Sequence, residues 1–224
     1  INISLEALRT QWMTEIQNDI AISNEDLRAA AIKAISTFMD VGKATLSSGK
    51  IDMAGSVDLT DGEISVVAAA VVPQAEQLDQ IVREFVKIAT EQEPSFPDVE
   101  IDAQKNGDIS FHVVRIPIPE FESEARKAFG DAVEISIGMG PDRVYIGVGK
   151  DNLKRLSDAI DASAANKGKK VSAALLRGSA NKILQFAAEQ SQDLILQQAA
   201  AAAASVAGKD SVSMELSAIK NGAR

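Results

Sequence analysis

Three stretches of the chain repeat one grammar: an apolar strand, a tight glycine turn, a second strand and then a helix. They are IDMAGSVDLTDGEISVVAAAVV before QAEQLDQIVREFVKIA, DVEIDAQKNGDISFHVVRIPI before EFESEARKAFG, and AVEISIGMGPDRVYIGVG before KDNLKRLSDAI. A hairpin cannot bury its apolar face alone, so copies set side by side under their own helices are the natural solution. The pattern predicts an α+β protein with a mainly antiparallel sheet of repeated hairpin–helix units, helices on one face and a helical hairpin in front. Residues 1–48 are read as that helical hairpin and 49–224 as the repeated domain.

Within the first 48 residues, Leu5, Leu8, Trp12, Ile16 and Ile20 recur at spacings of three and four, which is one helix face, and Trp12 is read as core. Ser23 or Asn24 is expected to cap a second helix carrying Leu27, Ala31, Ile35, Phe38 and Met39. In the first hairpin Asp61-Gly62 makes the turn, and the return strand Ile64 to Val72, apolar on both faces, is expected to lie centrally under a close helix. Leu78, Ile81, Val82, Phe85, Ile88 and Ala89 then give the cleanest amphipathic helix of the chain. The second hairpin is predicted to turn at Asn106-Gly107, while Gly138, Gly140 and Pro141 build the turn of the third. KKVSAALLR reads as a fourth strand and Gly178-Ser179 opens a helical stretch that runs into an alanine tract read as a helix packed on a neighbour. At the end, Val212, Met214, Leu216 and Ala218 alternate before Asn221-Gly222, so the chain is expected to stop inside a hairpin.

Hydrophobic residues at 46% and charged residues at 25% are values of a folded globular chain, and no apolar run is long enough to span a bilayer, so no transmembrane segment is expected. A net charge of −9 repels phosphate backbones, which argues against a nucleic-acid partner. Cysteine is absent, which removes thiol catalysis, thiolate metal sites and disulfides.

The titratable residues give weak signals. His112, the only histidine, stands mid-strand with no second histidine or cysteine beside it, and is read as structural. Asp98, Glu100 and Asp102 fall at i, i+2 and i+4, so an uninterrupted strand would align three carboxylates on one face; these could serve a hard cation or acid/base chemistry, or simply form a solvated face that discourages edge pairing. Arg115 and Arg143 are placed to pair with that face. Asp58, Asp61 and Glu63 miss the calcium-loop spacing. Gly147-Val148-Gly149-Lys150 joins a strand to a helix, but Val144 and Asp151 stand where a phosphate loop needs glycine and Ser/Thr, and Asp151 is read as a helix N-cap. No catalytic residue, cofactor or metal is assigned.

The segments VYIGVGKDNLKRLSDAIDASA, DGEISVVAAAVV, FHVVRIPIP and VSMELSAIKNGAR resemble a group of exported proteins of planctomycete bacteria that have no assigned chemistry. The resemblance implies a leader peptide upstream, a periplasmic or otherwise exported setting, and a further strand downstream. The leading functional expectation is a non-enzymatic binding or scaffolding module of the cell envelope, meeting a protein partner through a sheet face or an open C-terminal edge. The alternatives are a carrier of an apolar ligand between the sheet and the helices, with small residues at 68–70 and 199–204 as spacers, and a hydrolase using Asp98, Glu100 and Asp102.

Overall fold

A computed structural model describes Thr10, Thr14 and residues 24–47, 52–60, 62–169, 174–191, 193–204, 211–216, 218–219 and 222–223. The stripe from Leu5 to Ile20, with Trp12, lies outside the described residues except for Thr10 and Thr14, both helical. The elements are α1 (Glu25–Ser47), β1 (Met53–Thr60), β2 (Glu63–Val71), α2 (Ala75–Gln92), β3 (Asp98–Asn106), β4 (Ile109–Pro117), α3 (Ser123–Phe129), β5 (Ala132–Met139), β6 (Arg143–Val148) and α4 (Asn152–Ala165). They are followed by β7 (Ala174–Ser179), α5 (Ala180–Gln190), α6 (Leu194–Ala204), β8 (Ser211–Leu216), β9 (Ala218–Ile219) and β10 (Gly222–Ala223).

The three hairpins share one antiparallel sheet of six strands, in the order β1-β2-β6-β5-β4-β3. The protein is therefore α+β, and the third hairpin is inserted between the first two: Ala68 of β2 pairs with Ile146 of β6, and His112 of β4 with Ile137 of β5. Side chains alternate along a strand, so this register fixes the two faces of the sheet. His112, Ile137, Ile146 and Ala68 lie on one; Val113, Ser136, Gly147 and Val67 lie on the other.

Helices cover both faces, where the sequence pattern predicts one. On the His112 face, α1 and α2 run antiparallel, joined by Asn24 Nδ2 to Gln92 Oε1 at 2.7 Å and Lys33 to Glu84 at 2.6 Å, and they seat Val41 and Leu78 on Met139. Val72, Val82, Ile137 and Val144 complete that core. The other face takes α4, because β4 puts Phe111 and Val113, both 0% exposed, on that side and strands apolar on both sides need two roofs. Asn24 is the cap of α1: its Oδ1 accepts from Asp26 N and Leu27 N at 2.9 and 3.1 Å, with Glu25 and Asp26 in the first turn.

Turn positions differ in detail. Asn106 pairs with Ile109, so the second loop is 107–108, one residue later than predicted, and the positive φ of Gly107 suits a first central position of the II′ kind. Gly138 is no turn residue. It sits within β5 because the Phe111 ring lies over it: a Cβ there would stand 2.5 Å from Phe111 Cε1. β7 pairs with β8 in a separate ribbon, and Gly222 pairs with Ile219; Asn221, read as part of the last turn, lies outside the described residues. Between β7 and β8, Ser179 caps α5 through Lys182 N at 3.1 Å, and the alanine tract forms α6, held to α5 by Asn181 Nδ2 to Ala203 O at 2.7 Å. No described helix is long and apolar enough to cross a membrane.

Candidate functional site

His112 is 1% exposed and both of its ring nitrogens are in use. Nδ1 accepts the backbone N–H of Asp102 at 3.1 Å, which leaves the proton on Nε2, and Nε2 donates to Asp79 Oδ1 at 2.7 Å. Asp79 Oδ2 in turn accepts from Arg83 Nε at 2.9 Å, and the Arg83 fork grips both oxygens of Asp102 at 2.7 Å. The result is a closed ring of four side chains that clamps α2 to β3 and β4. The paired carboxylates of Asp102 and Asp79 raise the Arg83 pKa, and the Arg83 guanidinium lowers that of Asp102 to about 2. With its basic lone pair bonded to a backbone amide, the imidazole has a structural role here.

The three carboxylates of β3 do not share a face. Glu100 pairs with Val113 and Gln104 with Phe111, so residues 101, 102 and 103 all stand opposite His112, a bulge with Asp102 at φ 58°. The bulge sends Asp102 to Arg83 on the His112 face. Asp98 and Glu100 stay on the opposite side and meet Arg115 at 3.3 and 3.4 Å, as does Glu134 at 3.3 Å. Arg143 pairs instead with Asp142 at 3.4 Å. Among the described residues no group of three or more His, Asp or Glu is placed to hold a metal ion.

The loop between β6 and α4 is built for packing. A Cβ on Gly147 would stand 2.9 Å from Leu156 Cδ1, and one on Gly149, at φ 96°, would stand 2.1 Å from the carbonyl oxygen of Ile64. Asp151 occupies the N-cap position of α4 in a left-handed conformation and its side chain makes no capping bond, contrary to expectation. Asn152, 0% exposed, does the fastening: its Nδ2 donates to Gly149 O at 2.7 Å and Glu134 O at 3.1 Å, and its Oδ1 accepts from Ser136. Neither Asn152 nor the Asp79–Arg83 pair was singled out by sequence reasoning; the one available signal was the i, i+4 spacing of Asp79 and Arg83 beside an apolar stripe.

That fastening shapes the feature with room for a ligand. At its N-terminal end α4 touches the sheet through Leu156 on Gly147, and Arg155 reaches Asp58 of β1 at 2.8 Å. Toward its C-terminal end the helix presents Ala159, Ile160 and Ser163 to a floor of small residues, Ala54, Ser56, Val67 and Ala69. Too little side chain fills the gap, and a groove of about 640 Å³ opens between α4 and the β1–β2 hairpin. Small-molecule sites span about 300–1,000 Å³, so the volume is that of a ligand site. Leu156 closes its inner end, and Tyr145, Arg143 and Lys167 line it with Asp52. The small residues 68–70 do border this space, but its helical wall is α4, and residues 199–204 do not line it. A second cavity of about 630 Å³ lies near Gln104, Glu134 and Lys154, and three of its charged side chains are matched: Glu134 with Arg115, Lys150 with Glu63 and Lys154 with Asp158.

On the opposite face, Met53 is 70% exposed and Val57 62% exposed, at the edge that α1 and α2 do not reach. Met53 also borders the groove, while Val57, on the same strand face, does not line it.

No protein-family model matches the chain, and no curated protein matches it either. Among solved structures, it is similar to the crystal structure of a DUF4853 family protein from Actinomyces odontolyticus, with a TM-score of 0.22 and 13% sequence identity over 48% of this chain and 56% of that one. The chain thus spans little more than half the length of that neighbour.

Proposed function

We propose that the protein is a non-catalytic binding module that carries an apolar ligand in the groove between β1–β2 and α4. The observation that supports this reading is the 640 Å³ groove itself, floored by alanine and valine and closed at its inner end by Leu156. Burying a hydrocarbon chain against such a floor gains about 0.8 kcal/mol per methylene, enough for useful affinity without any specific polar contact. His112, fully bonded, lies on the other face of the sheet. The acidic residues of β3 are split between two arginines, so the hydrolase alternative gains no support from their arrangement. An exported, cell-envelope setting, implied by the resemblance, belongs to the same proposal, since carriers of apolar molecules serve where such molecules must cross water.

The direct test is titration of the purified chain with a neutral alkyl probe, dodecanol below its aggregation concentration, followed by calorimetry. Saturable binding at one site that is lost in Ala69→Trp, with unchanged far-UV dichroism, supports the carrier reading; no heat with the native chain removes it. The scaffolding alternative has its support in exposed Met53 and Val57 on the opposite face, and a Val57→Asp variant separates the two, because it leaves the groove intact.

A further inference from the structure

We infer that the ligand of this groove is a single-chain amphiphile with an anionic head, its tail against Leu156 and its head at Arg143 and Lys167. This rests on the carrier reading and adds the ligand's charge and direction. The charged side chains lining the groove are two cations, Arg143 and Lys167, and one anion, Asp52, in a chain whose net charge is −9. A local excess of positive charge on so acidic a protein is the complement of an anionic group.

The charges are also placed at one end. Arg143 pairs in register with Val71, the last residue of β2, and Lys167 follows the C-terminus of α4, so both stand at the end of the groove far from Leu156. The inner end is the apolar contact of Leu156 with Gly147. Asp52, whose carbonyl accepts from Val71 N at 2.8 Å, stands at this end too, so two cations face one lining carboxylate there; a groove apolar at Leu156 and with more cations than anions at the far end matches a molecule built the same way.

Among the described residues neither cation has a strong partner. Among the described residues Arg143 pairs with its chain neighbour Asp142, at 3.4 Å with both side chains more than half exposed, a pair of the kind worth about 0–1 kcal/mol and readily exchanged for a carboxylate. The carbonyls at the end of α4, which would repel an anion, are turned into capping bonds: Ser163 O accepts from Asn166 N and Ala164 O from Lys167 N, at 3.1 and 3.2 Å. The Tyr145 hydroxyl, on the groove wall, has no hydrogen bond among the described residues and supplies a further donor.

The experiment compares three twelve-carbon probes on the full chain: dodecanoate, dodecanol and dodecyltrimethylammonium, each below its aggregation concentration. The inference expects dodecanoate to bind at least tenfold more tightly than either of the others, the preference to fall with added salt, and the double variant Arg143→Gln/Lys167→Gln to bring dodecanoate down to the level of dodecanol without weakening dodecanol. Shortening the carboxylate should cost about fourfold in affinity per methylene while the groove is being filled. Equal binding of all three probes, or a preference for the cationic one, overturns the anionic head and leaves the carrier reading standing. Failure of every probe to bind overturns the carrier reading itself, and this inference with it.

Discussion

The backbone N–H of Asp102 donates to Nδ1 of His112 at 3.1 Å, and that bond decides both the shape of β3 and the state of the imidazole. Two residues more than the register requires are absorbed opposite His112, and the amide that the bulge takes out of the ladder finds its acceptor on the ring. The bulged edge is in turn held by Arg83, so α2 reads the irregularity of the strand through side chains alone.

Removing the ring tests this. His112→Ala leaves the Asp102 amide and one oxygen of Asp79 without their partner and opens a cavity under α2. A loss of about 2–4 kcal/mol is expected from urea unfolding. In the native protein, nitrogen NMR should identify Nε2 as the ring nitrogen that donates and Nδ1 as the one that accepts.

The Arg83 grip on Asp102 has a definite pH dependence. The carboxyl titrates near 4 in the unfolded chain and at about 2 in the folded one, so the unfolded state takes up its proton first. The stabilisation is therefore complete above about pH 4 and is lost as pH falls through 2. Because the Asp102 side chain is 38% exposed, screening by water holds the contribution to about 1 kcal/mol or less. Urea midpoints of the native chain and Asp102→Asn should differ most near neutral pH and converge as pH drops from about 4 toward 2; a gap that widens in acid contradicts this assignment.

Gly138 offers a test of packing. Its missing Cβ makes room for the Phe111 ring, which is fully buried and flanked by Tyr145 with ring centroids 6.5 Å apart. Gly138→Ala should destabilise by about 1–3 kcal/mol, since the ring has no free space to enter. In combination with Phe111→Leu the penalty of the alanine should shrink, a coupling that a double-mutant cycle measures directly.

Much of this architecture was readable because it follows from alternation and turns. Ile64 to Val72 is apolar on both faces and does lie between β1 and β6, and the heptad-like run from Leu78 to Ala89 is α2. Alternation fails where a residue is inserted. Asp98, Glu100 and Asp102 looked like one acidic face because nothing in their local sequence announces a bulge; its cause is His112, ten residues on, and Arg83, on another element. Likewise the burial of His112 on one face of β4 and of Phe111 and Val113 on the other required a second helical layer, yet which helix supplies it depends on the small size of Gly147, a tertiary fit. The groove was legible only in part: Ala68 to Ala70 signalled close approach, but a gap arises from what faces those residues, and the facing helix is α4, not the alanine tract.

The groove can be filled without disturbing the fold. Ala159 is exposed on α4 and borders the groove, so its replacement touches neither the core of Val41, Leu78 and Met139 nor the clamp around His112. Ala159→Trp should change stability by no more than about 0.5 kcal/mol, the usual range for exposed positions, while placing an indole in the space an alkyl chain would take. The expected outcome is an unfolding midpoint close to that of the native chain together with at least a tenfold loss of dodecanoate affinity. The converse change, Leu156→Ala, removes the plug at the inner end: it should cost about 2–5 kcal/mol of stability and lengthen the site, so that the best-bound chain becomes one or two methylenes longer. Opposite effects of these two substitutions on the preferred chain length place the ligand between them; if both leave binding untouched, the ligand binds elsewhere on the molecule.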